Sequence, residues 1–278
     1  MPAGASVERN RTARGALAEH RKLASVLAAV QRGRRGVIDA FVVAAALDSD
    51  PVFGREAREA GRVLARRYGA LGRTVVLAGS DGSADSALPI ASPPALAAAL
   101  ARVAEAMDRE DVLVLYLTAH GGPFGIVYND GDEGYGAISP FRLWTQLREL
   151  GIENRMVIVS ACYSGVFVPL LATPTSVVVT AASWERTSFG CVSDNDWTFF
   201  GDALVNHALR KGQPIASAFG EARAMIAGWE GAAGLTPSEP QISIGAATAG
   251  WLAALDANTP KTVTAPVGRP ATAALPAR

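Results

Sequence analysis

Two apolar runs decide how this chain reads: Leu115-Tyr-Leu-Thr-Ala-His-Gly121, which continues a stretch beginning at Asp111, and Val157-Ile-Val-Ser-Ala-Cys-Tyr-Ser-Gly165. Each is short and apolar and stops abruptly at a reactive side chain, His120 in the first and Cys162 in the second. A parallel strand buried on both faces reads in this way, because only its C-terminal end opens onto a crevice where polar groups are needed. If the two strands are neighbours, an imidazole and a thiol meet at one sheet edge. The reading that follows is a hydrolase built on Cys and His.

Working outward, four more runs read as strands: Val37–Ala46, Arg73–Ala78, Ser176–Ala181 and a short Gln241–Gly245. With Asp111–Thr118 and Arg155–Ser160 these make six. Helical patterns separate them, at about Arg55–Arg67, from Pro93-Pro94 to about Met107, from Ser139-Pro140 to about Leu150, and over 197–210 and 214–229. Strands alternating with helices imply a mostly parallel sheet covered on both faces. Residues 121–137, rich in Gly and Asp, read as a loop or small hairpin; Asp130, Asp132 and Glu133 lack the spacing of a calcium loop and are explained by turn chemistry.

The domain expectation is a basic N-terminal leader with an accessory helix over 1–36, one α/β domain over 37–256, and a disordered Pro/Ala tail over 257–278. The leader carries Arg9, Arg11, Arg14, Arg21, Lys22, Arg32, Arg34 and Arg35, read as a solvated helix face rather than a lipid or nucleic-acid site. Formal net charge is zero over 278 residues, which gives no argument for a nucleic-acid partner. No run reaches the length needed to span a bilayer, and no secretory cleavage signal stands out, so a cytoplasmic setting is expected. Two cysteines without a spacing pattern give no disulfide framework and leave a free reactive thiol as an option.

The thiolate is the nucleophile, so a catalytic cysteine needs a neighbour that takes its proton. Of three histidines, His20 lies in the leader and His207 within a helical pattern, which leaves His120 at a strand end before Gly121-Gly122. A glycine there lets backbone approach a substrate carbonyl and offers an N–H to an oxyanion. Taken singly, His120 or Cys162 would be a satisfied polar group or a small core residue; two successive strands ending in them weaken that reading. Cys191 is read as structural. Ser164 is not in a G-x-S-x-G elbow, zinc motifs are absent, and no cofactor or metal is expected.

Leu117-Thr-Ala-His-Gly121 together with Ser160-Ala-Cys-Tyr-Ser-Gly165 resembles the His-Gly and Glu-Ala-Cys-x-Ser-Gly motifs of the legumain-like cysteine peptidases, a family of the caspase-like clan. That family includes asparaginyl endopeptidases and the catalytic subunit of the GPI-anchor transamidase. Thr180-Ala-Ala, Thr187-Ser-Phe-Gly-Cys191 and Phe200-Gly-Asp202 continue the likeness, which covers roughly Asp39 to Leu255 and is greatest to compact bacterial members. It implies a caspase-like three-layer αβα sandwich around a six-stranded, mostly parallel sheet. It also implies His120 as general base, Cys162 as nucleophile, and the N–H groups of Gly121 and Cys162 as oxyanion hole. The activity implied is an endopeptidase acting on peptides or proteins after Asn or Asp through an acyl-enzyme, with ligase or transamidase chemistry when an amine replaces water. The implied pocket residues are Arg55, Ser160, Asp202 and Ser188 (or its neighbour Thr187).

Two positions depart from the family pattern. The glutamate two residues before the nucleophile is Ser160, which favours Asp over Asn unless Glu56 supplies the missing charge. The asparagine that helps orient the catalytic histidine, two residues before the arginine, is Phe53, so the catalytic set is expected to be a dyad. The competing reading is a catalytically inactive caspase-like interaction module.

Overall fold

The computed structural model describes residues 6–79, 86–131 and 133–274. In chain order its elements are β1 (Ser6–Glu8), α1 (Ala13–Ala28), β2 (Ala40–Ala46), α2 (Pro51–Arg67), β3 (Thr74–Leu77), α3 (Pro93–Ala106) and β4 (Val112–Thr118). There follow β5 (Gly121–Gly122), β6 (Gly125–Asn129), β7 (Gly134–Ile138), α4 (Pro140–Glu149), β8 (Arg155–Ser160), α5 (Val168–Leu171) and β9 (Ser176–Thr180). The chain closes with α6 (Ile215–Ala233), β10 (Gln241–Ile244) and α7 (Ala249–Ala257).

A six-stranded sheet runs in the order β10-β9-β8-β4-β2-β3, all parallel except β10 against β9. Because side chains alternate along a strand, this sheet makes two cores. Val42, Val114, Tyr116, Ile158 and Val179 face α2, α6 and α7. Phe41, Val43, Leu115, Val157 and Val178 face α3, α4 and α5, with Leu23, Val26 and Leu27 of α1 laid against them. The result is a caspase-like α/β architecture, as the alternation of strands and helices implies.

Helix starts follow from local chemistry. Ser92 and Ser139 each accept a backbone N–H from three residues on, with Pro93 and Pro140 in the first turn where no donor is missed. The stretch 121–137 forms a hairpin of β6 and β7, extended by β5 and by β1 into a small four-stranded sheet. Thus part of the leader is ordered: Arg11 pairs with Asp130 at 2.5 Å and Glu133 at 2.9 Å, which accounts for two of the acidic residues there. Asp132 lies outside the described residues.

One expectation is corrected. The segment past Ala257 was to be disordered, yet up to Ala274 it runs as a strap along the body, and Ala271 is fully buried. Trp197 Nε1 donates to the Val267 carbonyl (2.9 Å), Asn206 makes two bonds to the Val267 backbone, and the Ala271 N–H donates to Asp202 (2.8 Å). Specific polar partners, invisible in a Pro/Ala composition, hold it in place. No described helix is long and apolar enough to cross a membrane.

At the N-terminal edge of the sheet, the buried Asp39 carboxylate pairs with Arg73 (2.7 Å) and Arg34 (2.8 Å), joining β2 to β3. Burial works to raise its pKa, but the bonds from Arg34 and the charges of Arg73 and Arg34 win and hold it below the usual aspartate range. Its contribution is therefore complete above the ordinary aspartate pKa and is lost as pH falls through the lowered value. Asp39→Asn should lower stability at pH 7 by about 3 kcal/mol, since Arg73 stays buried without its countercharge. Urea denaturation at pH 7 and pH 3 checks this; the loss should shrink at the lower pH.

Candidate active site

The site is a product of strand register. β4 and β8 pair in parallel with Thr118 opposite Ser160, so His120 and Cys162 each follow two residues beyond matched strand ends. Ala119 N–H donates to the Ser160 carbonyl (3.3 Å), carrying the contact past the ladder. Gly121 packs directly on the backbone of Cys162: a Cβ there would overlap the Cys162 carbonyl oxygen. Only glycine permits that approach. On the far side, the β2–α2 loop is stitched to the same edge, Leu47 N–H to Thr118 O at 3.0 Å and Asn129 N–H to Leu47 O at 2.9 Å.

Cys162 begins a tight turn in which Tyr163 adopts a left-handed backbone (φ 56°), uncommon for a non-glycine residue, with its N–H donating to the Arg186 carbonyl (2.8 Å). The half-buried thiol is held by one residue. Ser188 donates its N–H to Sγ at 3.2 Å and accepts from Sγ at 3.4 Å through its carbonyl. Burial pushes the thiol pKa up, while the backbone N–H groups of Ser188 and of Cys162 itself oppose the shift. A thiol in that state is a poor nucleophile until a base takes its proton.

His120 is exposed over nearly half its side chain (44%) and sits between two residues from the start of α2. Phe53 meets the ring edge-on, centroids 5.0 Å apart at 83°, and Asp50 Oδ2 lies 3.7 Å from Nε2. Cys191 packs beside the Phe53 cluster. Burial, then the nearby Cys162, Glu56, Asp50 and Asp48, push its thiol far up, so it stays protonated, in keeping with a structural role.

The remaining pocket residues of the family pattern are only partly brought together. Arg55 lies at the cleft end of α2, but its donors are engaged: Nε with Asp196 (2.9 Å) and the Asn195 carbonyl (3.2 Å), and Nη2 with the Ser193 and Asn195 carbonyls. Ser188 reaches Cys162 by its backbone. Ser160 is buried and shares a hydrogen bond with Thr198 Oγ1 (3.1 Å). Asp202 is buried and occupied, accepting from Asn206 (2.8 Å) and the Ala271 N–H (2.8 Å) within a π-type helical segment, Gly201–His207.

Glu56 does not supply a pocket charge either. It is fully buried and accepts from Tyr116 OH (2.7 Å), Thr118 Oγ1 (2.8 Å) and the Thr198 N–H (2.8 Å). Reading the sequence missed Asp50, Asp48 and Thr198. A signal for the first was present: an Asp directly before Pro51, at the entry to a helix that starts beside the sheet edge.

A cysteine and a histidine that each follow the matched C-terminal ends of neighbouring parallel strands make this edge the candidate active site. A profile of the peptidase C13 family, the legumain family of cysteine peptidases, matches residues 98–250, more than half of the chain, and the chain belongs to that family. The match takes in β4 and β8 with both strand ends, whereas Asp48, Asp50 and Arg55 precede it. A family of peptidases implies peptide or protein substrates. No curated protein matches the chain significantly.

Asp202→Ala tests the placement of that carboxylate. It strips hydrogen bonds from Asn206 and the strap, and should cost about 2 kcal/mol in urea denaturation. The rate of Cys162 alkylation by iodoacetamide should be unchanged.

Proposed function

We propose that the protein is a cysteine endopeptidase that cleaves after Asn or Asp, with Cys162 as nucleophile and His120 as general base. The observation that carries this reading is the register of β4 on β8, which supports delivery of the two side chains to one point. The Cys162 proton passes to the imidazole, and the thiolate attacks the scissile carbonyl to give a tetrahedral oxyanion. Backbone N–H groups of Gly121 and Cys162 receive the oxyanion charge. The imidazolium then protonates the leaving amine, and a thioester to Cys162 remains. Water attacks the thioester with His120 as base and regenerates the thiol; an amine in place of water gives transamidation.

The preference for Asn or Asp rests on Arg55, whose guanidinium can donate to an amide oxygen or a carboxylate. Ser160, Glu56 and Asp202 are all committed elsewhere, so none of these three accepts the NH₂ of an Asn side chain. Asp should therefore be cut at least as well as Asn. The engagement of Arg55 by residues 193–196 favours a second reading, an inactive caspase-like interaction module.

A positional peptide library separates the two. The wild type should cut after Asp and Asn, Cys162→Ala should cut nothing, and His120→Ala should lose at least about 100-fold in kcat/KM. Cleavage that survives in Cys162→Ala sinks the catalytic reading. A Cys162 that a thiol-directed probe leaves unlabelled in the folded protein supports the module.

A further inference from the structure

We propose that Asp50 is the positioning residue for His120, its carboxylate turning the imidazole so that Nε2 carries the hydrogen and Nδ1 is left to accept the Cys162 proton. This rests on the dyad reading given above and completes it with a third member.

The first observation is a cap that does not cap. Asp50 is the N-cap of α2 with an extended backbone (φ −60°, ψ 127°), where an aspartate ordinarily accepts an N–H from the first helical turn. Its side chain accepts none. Instead one oxygen accepts from Ser193 Oγ, and the other lies 3.7 Å from His120 Nε2. That separation suits an ion pair that tightens once the ring is charged, as catalytic contacts commonly do on going from the free enzyme to the complex.

The second observation is the support behind it. Asp48 is buried, and its Oδ1 accepts the Asp50 N–H (3.0 Å) and an Asn129 N–H (3.4 Å), which fixes the backbone that carries the Asp50 carboxylate. Ser49 N–H donates to the Asn129 carbonyl (2.8 Å), tying the loop to the hairpin that follows His120. Among the described residues, Asp48 Oδ2 is buried without a hydrogen-bond partner. Such an oxygen gains from a nearby positive charge, and the imidazolium formed when Cys162 gives up its proton is one. Burial raises the Asp48 pKa, with His120 acting against the shift.

Other titratable groups near this edge, among the described residues, are engaged elsewhere or are thiols. Glu56 of α2 is occupied by three donors, Cys162 stands at the end of β8, and Cys191 lies against the Phe53 cluster from the segment between β9 and α6. Phe53 supplies only an aromatic contact. Asp50 is thus the carboxylate set to hold the ring while the proton moves from Sγ to Nδ1.

The test uses the full chain carrying Cys191→Ala, so that only Cys162 is alkylated. In Asp50→Asn, kcat on an Asp-containing peptide should fall roughly 10- to 100-fold, with KM within about 2-fold. The acid limb of kcat/KM should move to lower pH, because an imidazolium without its countercharge loses its proton more readily. Asp50→Glu should restore part of kcat. Iodoacetamide alkylation of Cys162 near pH 6 should slow in Asp50→Asn, as it should in His120→Ala. A kcat and an acid limb unmoved in Asp50→Asn overturn the proposal. Alkylation that depends on His120 but ignores Asp50→Asn also overturns it and leaves the dyad standing. Alkylation indifferent to His120→Ala fails the dyad itself. Asn at position 50 keeps the acceptor for Ser193 and the cap geometry, and the Glu variant reports on the same contact if the Asn protein does not fold.

Discussion

The pairing of Thr118 with Ser160 is the constraint on which the site depends. A parallel ladder fixes strand ends relative to one another, and slipping it by one residue would turn every core side chain to the opposite face. Because both faces of this sheet are packed, the register is specified by two cores at once. Everything beyond the strand ends inherits that precision. Gly121 must be glycine because the Cys162 carbonyl comes so close, and the β2 end joins the same edge through Leu47 and Thr118.

Beneath the edge lies a carboxylate with no cation among its hydrogen-bond partners in the described residues. Glu56 is held by two hydroxyls and one backbone N–H, the kind of full satisfaction a buried charge requires. Burial and this negative charge together push the Tyr116 hydroxyl well above its usual range, so it stays a donor. Gly201 is small for the same reason, since a Cβ there would overlap the carboxylate. The arrangement explains Ser160. Its hydroxyl meets Thr198, whose N–H already bonds Glu56, so a glutamate at 160 would set a second carboxylate against the first in a low-dielectric place. One buried charge, arriving from α2, excludes the other.

Five of the six strands of the main sheet were legible as apolar runs ended by turn residues, and β10, Gln-Ile-Ser-Ile, as a short alternation; Arg155–Ser160 was delimited to the residue, and β2 began three residues later than Val37 suggested. His120 and Cys162 were legible because reactive residues stand out at the ends of such runs. The strap and the β1–β7 pairing were not, because they depend on Asp202, Asn206, Trp197 and Arg11 finding partners far along the chain. Asp202 was assigned to the pocket from the motif Gly-Asp, which looks the same whichever way the helical segment turns. Helix α7 was missed as well, a run of nine residues inside a stretch of alanines and glycines.

Phe53 shows how the first turn of α2 divides labour. A phenyl ring packed against His120 at that position offers a steric contact but no carboxylate to balance a charge. An electrostatic hold on the imidazole has to come from another side chain, and three residues earlier the chain presents Asp50. Pro51 follows it directly, removing one donor of the helix terminus that would compete for the carboxylate. Steric restraint and charge, which a single polar side chain could have combined, are here carried by two residues on one rigid helix start.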